Sequence, residues 1–417
     1  FMKSLLGENS VLDDLKFRAS YGQLGDDKID LDPFAYLPGY NYNAGTVILD
    51  GKTITTSRDK GPIVNNLTWF KSRITDIGAD FSLFKTKLTG TFDYFYRKRT
   101  GLRGTKNDIL VPAELGYNLS DENVNSDAQY GGEFSLNYQN KIGEFGYTVG
   151  GNFSLSRSKF LESYKPRFNN SLDQYRNSIE NRYNNIFWGY EVTGQFKSVD
   201  EINNYKVNID GKGNSTLLPG DLIYKDQNGD GVIDGYDERP IGYTTTGQPN
   251  IMFGFSIGLS YKNFDFSADF SGGSLYSWNQ NYEQRWAFQN TGALLQSFAD
   301  DSWHRTDPYD LNSPWMAGKY PALRFNEGGH SNYNRNSTFW LHNVRYLRAR
   351  TIEFGYTLPK RWLEKIKVQN ARVYLNGYNL FSIDNLKSFG VDPEIADDNG
   401  LQYPQNKFFN IGIKLAL

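Results

Sequence analysis

Strict alternation of bulky and small or polar residues, repeated in pairs across short breaks, constrains this chain more than any other feature of its sequence. In residues 251–270, Ile251, Phe253, Phe255, Ile257, Leu259 and Tyr261 alternate with Gly254, Ser256, Gly258, Ser260 and Lys262. After Asn263 the pattern restarts with Phe264, Phe266, Ala268 and Phe270 against Asp265, Ser267 and Asp269. Successive side chains of a strand point to opposite faces, so this is a tight hairpin with one apolar and one polar face. Ile77–Leu83 with Leu88–Tyr96, and Tyr130–Tyr138 with Phe145–Leu155, repeat the pattern. Single strands are predicted near residues 12–24, 341–358, 371–383 and 407–417, ten strands in all.

The connections follow a parity. They run long (25–73), short (84–87), long (99–126), short (139–144), long (159–249), short (262–263), long (277–340), medium-short (359–370) and long (384–406). A sandwich or propeller has strands of about 5–6 residues and no such rule. Strands of about 11–14 residues with short turns at one end and long loops at the other predict a transmembrane barrel. Phe84, Tyr138, Phe145, Tyr261 and Phe264 flank the short turns, where an interfacial aromatic girdle is expected. The predicted fold is all-β, an antiparallel transmembrane β-barrel, because only a closed ladder satisfies strand backbones in lipid. The inward positions are small and polar, which suits a wide lumen and makes these ten strands part of a larger barrel.

Composition agrees without deciding. The 417 residues are 38% hydrophobic and 16% aromatic, and no apolar run reaches helix-spanning length. A mean hydropathy of −0.61 is compatible with a membrane barrel, whose two faces average out. The net charge of −2 comes with no basic stripe of the kind nucleic acid demands. Cysteine is absent, and His304, His330 and His342 are scattered, so no catalytic constellation forms and no enzyme is expected. Phe1-Met2-Lys3-Ser4 opens into polar chain without a signal sequence, so export implies an earlier segment.

Two constellations carry candidate chemistry. DQNGDGVIDGYD, residues 226–237, has the spacing of a calcium loop, with Asp226, Asn228, Asp230, the Val232 carbonyl, Asp234 and Asp237 as ligands and Gly231 at the turn. Its last ligand is Asp rather than Glu and helices do not flank it; a metal-free turn held by Asx geometry is the alternative. The second is aromatic: Trp278, Trp286, Trp303, Trp315 and Trp340, with Tyr276, Tyr282, Tyr309 and Tyr320, crowd residues 276–340. Rings beside hydrogen-bonding side chains suit ligand or partner contact, with a sugar face or a lipoprotein as occupant, and equally a loop core or girdle end. GKGNST (211–216) lacks the upstream glycine of a phosphate loop, and Asp300-Asp301 and Asp397-Asp398 read as solvated pairs.

Strings spread over the whole chain carry a resemblance. LKFRASYGQLG (15–25), FDYFYRKRTGL (92–102), PGDLIYKDQNGDGVIDGYDERPIG (219–242), YLRARTIEFGYTLP (346–359), ARVYLNGYNLFSI (371–383) and GVDPEIADDNGLQYPQNKFFNIGIKLAL (390–417) resemble the C-terminal part of SusC/RagA-type TonB-dependent outer-membrane transporters of Bacteroidota. The resemblance implies that residues 1–417 are the last ten strands of a barrel of about 22, with 159–249 and 277–340 as long extracellular loops. It also implies an upstream extension domain, TonB box and plug, a SusD-like surface lipoprotein as lid, and energy from TonB with ExbB and ExbD. The expected function is active import of an oligosaccharide, with glycan uptake ahead of peptide import. A transporter-like barrel used as a scaffold in a larger outer-membrane assembly, and a soluble β-domain of an adhesin, are the readings from other classes.

Overall fold

The structure is a computed structural model that describes every residue except 1–10, 28–33, 35, 64–66, 107, 110–111, 113, 115–119, 246, 326–327, 365–367, 396–400, 404 and 417. Ten long strands form one sheet: β1 (Leu12–Asp26), β2 (Phe70–Leu83), β3 (Leu88–Gly104), β4 (Glu122–Ile142), β5 (Phe145–Glu162), β6 (Ile251–Tyr261), β7 (Phe264–Asn279), β8 (Leu341–Thr357), β9 (Asn370–Tyr378) and β10 (Phe408–Ala416). Their order in the sheet is their order in the chain, and every pairing is antiparallel. This is the up-and-down topology that short turns allow. No described helix is long and apolar enough to cross a membrane.

The turns explain the parity. Phe84, Lys85 and Thr86 take consecutive positive φ values of 57°, 59° and 63°, which reverses the chain within four residues. Lys262 at φ 54° does the same between β6 and β7. The third break is shorter than the 139–144 expected, because β4 runs on to Ile142 and only 143–144 turn.

Strands are also longer than the alternation indicates at the long-loop end. β4 has 21 residues and β5 has 18, so ordered sheet rises past the apolar segment into what the sequence marks as loop. There the side chains are charged on both faces and periodic hydrophobicity stops reporting the strand. The segment expected at 371–383 breaks at Tyr378, and Ser382–Asp384 pairs separately with β8.

Register sorts the faces. Phe17, Ala79, Phe92, Phe134, Phe153 and Phe253 are successive cross-strand partners from β1 to β6. They form one row of the apolar face, with Phe17 77% and Phe92 48% exposed. The opposite face is polar and knitted by ion pairs. Arg18 bridges Asp80 and Asp93, each at 2.9 Å, Arg99 holds Asp127, and Arg372 lies between Asp265 and Glu353. Lipid tolerates the first face and water the second.

The larger buried core is not in the sheet. It lies in the two longest connections, whose segments pack into one cluster that includes Phe196, Ile209, Leu222, Tyr224, Phe298, Tyr333 and Trp340. A second, smaller cluster joins Tyr276, Trp278, Val344, Leu386 and Val391 at the long-loop end of β7 and β8. The first long connection contains a hairpin absent from the sequence reading, Tyr40–Leu49 with Lys52–Asp59. Asp50 and Gly51, both at positive φ, form its two-residue turn.

Candidate functional site

The described residues of 163–250 and 280–340 pack on one another as a single unit at the long-loop end of the sheet. Short strand pairs organise the first, Ile186–Gly189 with Arg239–Tyr243 and Val192–Gln195 with Leu222–Tyr224. The second closes on them through its backbone: Tyr190 N–H donates to the Asn336 carbonyl at 2.8 Å, and Thr338 N–H to the Tyr190 carbonyl at 3.0 Å. Arg335 donates to the Ile209 and Val-flanked Ile233 carbonyls at 2.6 and 2.8 Å, with its guanidinium over the Tyr190 and Tyr224 rings.

At the centre Asp221, fully buried, receives both arms of Arg324 at 2.8 and 2.6 Å. Asn332 Nδ2 at 2.7 Å and the Leu218 amide at 2.8 Å complete its shell. A buried carboxylate is tolerated only when paired and hydrogen-bonded in this way. The pair joins the two loops across a separation of 103 residues. Burial pushes the nearby Tyr224 hydroxyl well above its usual range. Its O–H donates to the Ser331 carbonyl at 2.6 Å.

The tryptophans divide. Trp278 at the end of β7 and Trp303 and Trp340 in the loop are at most 9% exposed, so what Trp278 and Trp303 chiefly touch is this chain's own interior. Trp278 stacks on His342 at 5.6 Å. Trp303 lies on Gly220, whose φ of +95° and lack of Cβ admit the indole; an added Cβ would stand 2.3 Å from it. Trp286 and Trp315 are half-buried, the first near Tyr282 and the second beneath Arg305, whose guanidinium lies 4.9 Å from the ring. Exposed rings and apolar tips lie elsewhere, at Tyr309 (96%), Leu311 (78%) and Phe325 (71%). Aromatic count in the sequence does not separate packed rings from presented ones.

The acidic loop caps itself. Asp226 accepts from the Gly229 and Gly231 amides at 2.7 and 2.8 Å, and Asp230 from the Val232 amide at 2.9 Å and Asn228 Nδ2 at 2.8 Å. Asp234 accepts from Tyr236, while the buried Asp237 takes the Gln227 and Asp234 amides at 2.8 and 2.9 Å. Among the described residues no group of three or more His, Cys, Asp or Glu side chains is arranged to hold a metal. Each carboxylate oxygen keeps a second lone pair, so the amides that fold the loop leave acceptor capacity on its carboxylates. GKGNST is likewise a turn. The Lys212, Asn214 and Thr216 amides and the Thr216 hydroxyl all donate to Asp210. Burial opposes ionisation of Asp210, but these donors overcome it and hold its carboxyl at about 2.

One polar site has no counterpart among the sequence candidates. The connection between β9 and β10 folds back onto the polar face, where Arg348 holds Asp392 at 2.6 Å and Glu394 at 3.1 Å, and Arg350 also grips Glu394. The string GVDPE (390–394) was the available signal, and Gly390 at φ 69° turns it inward. Asp300 accepts from Gln296 Nε2 four residues back, and Asp301 from the Lys319 amide 18 residues on. Asp397-Asp398 lies outside the described residues.

A sheet with one lipid-compatible and one polar face, short turns at one end and folded loops at the other, defines an outer-membrane β-barrel. Comparisons place it further. No protein-family profile matches the chain. It is 28% identical to TonB-dependent receptor P26 of Formosa agariphila, over 95% of this chain and 38% of that protein. It is 27% identical to TonB-dependent receptor SusC of Bacteroides thetaiotaomicron, over 99% of this chain and 38% of that one. Among solved structures, the RagAB peptide importer in its open-open state superposes with a TM-score of 0.69 at 22% identity, over 100% of this chain and 42% of the other. The chain is similar to SusC/RagA-type TonB-dependent receptors of the outer membrane, and spans about two-fifths of the length of the curated relatives it matches.

Proposed function

We propose that the chain supplies barrel wall and external loops to a TonB-driven importer of oligomeric nutrients, oligosaccharides in the first instance. It works with a SusD-like surface lipoprotein as lid and with TonB, ExbB and ExbD as energy source. The observation that carries this reading is the juxtaposition of a polar, glycine- and serine-rich wall with a packed loop unit at one end. A wall of that kind passes hydrated solutes, and a packed unit can seat a lid that opens and closes.

Tyr309 and half-buried Trp315, beside Arg305 and Asn312, are suited to a sugar face. Peptide import is the second reading, favoured by the likeness to the RagAB peptide importer. Calcium in the 226–237 loop belongs to this proposal as a stiffener of the loop unit, not as part of transport.

Native mass spectrometry of the protein extracted from its own outer membrane tests the reading. A co-purifying lipoprotein with a glycan adduct is expected, and a peptide adduct selects the second reading. A barrel locked among several proteins, without ligand or exchangeable lid, overturns import in favour of a scaffold. Calcium is expected to raise the melting temperature of the loop unit; identical melting in calcium and in chelator assigns the loop to a metal-free turn.

A further inference from the structure

The apolar face changes character towards the long-loop end in an ordered way. Beyond the phenylalanine row, Tyr21, Thr75, Tyr96, Tyr130 and Arg157 are successive cross-strand partners from β1 to β5. Tyr96 and Tyr130 stack at 6.3 Å, and the Tyr130 and Tyr183 hydroxyls meet at 2.7 Å. Tyrosines at this level form the second aromatic girdle, the partner of the ring at the short turns. The next row on the same face is Gln23, Arg73, Lys98, Ala128 and Lys159. A cationic row therefore tops the girdle, rising from about 11 residues above the 84–87 turn at Arg73 and Lys98 to about 15 above the 143–144 turn at Lys159, against about 9–11 for a transmembrane strand.

Charge partners separate this row from the opposite face. Inward, on the same strands, Arg99 is paired with Asp127 and Arg18 with Asp80 and Asp93. Outward, Arg73, Lys98, Arg157 and Lys159 have no ion pair among the described residues. Arg73 donates only to the neutral Gln23 at 2.9 Å, and Arg157 lies 3.5 Å from the Tyr183 ring and donates to Asn185. Arg157 Nε is buried without a hydrogen-bond partner. The nearest acid in this register, Glu162, accepts from the Ser126 hydroxyl.

Arg73 and Lys98 are like charges directly opposite each other, an arrangement that destabilises a sheet unless an anion relieves it. Ala128, between Lys98 and Lys159 in register, is itself covered at 2% exposure, and the two lysines stand about two strand spacings apart, roughly 10 Å. We propose that Arg73, Lys98, Lys159 and Arg157 form a belt that binds the phosphate-bearing headgroups of lipid in the leaflet on the long-loop side. That is the external side in outer-membrane barrels. Continuity with the lipid-facing apolar band and girdle selects lipid as the occupant, and the unmatched positive charge selects a phosphorylated one.

The test is native mass spectrometry of the full-length protein in detergent, titrated with phosphorylated lipid A and with the same lipid dephosphorylated. The parent is expected to retain the phosphorylated lipid selectively. The combined Arg73→Gln, Lys98→Gln and Lys159→Gln variant is expected to lose that selectivity by about fivefold per cation removed. Lys85→Gln with Lys87→Gln, at the opposite end, is expected to bind as the parent does. Heat-modifiable migration on gels reports that each barrel is folded, and Lys98→Arg with Lys159→Arg separates charge from packing by restoring retention. Equal binding of the two lipids by the parent, or retention unchanged in the glutamine variant, overturns the belt. Full displacement by millimolar inorganic phosphate overturns the lipid assignment in favour of a free-anion site.

Discussion

The wall and the loop unit of this molecule are built on opposite principles. In the wall, each residue's role follows from parity and a neighbour on the next strand, as in the row Ala79, Phe92, Phe134, Phe153. Most wall side chains remain at least partly exposed, since lipid and water, not protein, cover the two faces. In the loop unit the same chain buries Trp340, Tyr224 and Phe196 completely around an ion pair. The difference teaches that a membrane barrel places its tertiary core outside the membrane, in the connections, where the hydrophobic effect operates between protein and water.

If that contrast is right, the two regions break separately. The largest effect is expected from Arg324→Ala, which strands the buried Asp221 charge at a cost of about 3–5 kcal/mol. Limited proteolysis should then cut within residues 163–250 and 280–340 while heat-modifiable migration still reports a closed barrel. Loss of both signals together would mean that wall and loops fold as one unit. Next in size is Phe134→Arg, which puts a cation on the lipid face at a cost of about 2–4 kcal/mol near the bilayer midplane. Here the barrel's gel shift should move to lower temperature, and tryptophan emission from the loop unit should hold until the barrel melts.

The smallest effect concerns acid. Asp210 titrates near 2 in the fold against 3.8 for an unperturbed carboxyl, so its stabilising contribution is complete above that ordinary value and is lost as pH falls through about 2. Melting of the loop unit, followed by tryptophan fluorescence between about pH 4 and 2, should fall more steeply in the parent than in Asp210→Asn. Parallel curves would remove Asp210 from the comparison.

Much of the wall was legible from sequence. All ten strands, the short breaks at 84–87 and 262–263 and the order of the long connections follow from alternation. What escaped lies where alternation stops being informative. The upper halves of β4 and β5 carry charge on both faces, and the hairpin around Asp50-Gly51 had its turn signal in plain view but lay inside a stretch assigned to loop. The tryptophans stand out in the sequence as a group, yet nothing local distinguishes Trp303, seated on Gly220, from the half-exposed Trp315. The acids Asp392 and Glu394 and their partners Arg348 and Arg350 sit in two separate strings of the family resemblance, and nothing within either string joins them.

By itself, then, the sequence determined the class of fold, the number of strands in this segment and the faces they present, because a period of two is a local property and a lipid face must be apolar throughout. Only the tertiary structure decided which loop residues are core, how Asp221 meets Arg324, and which cations are neutralised on the wall and which stand unpaired above the tyrosines. Those choices depend on contacts between residues far apart in the chain, and on register between neighbouring strands, and neither is written in any single stretch of residues.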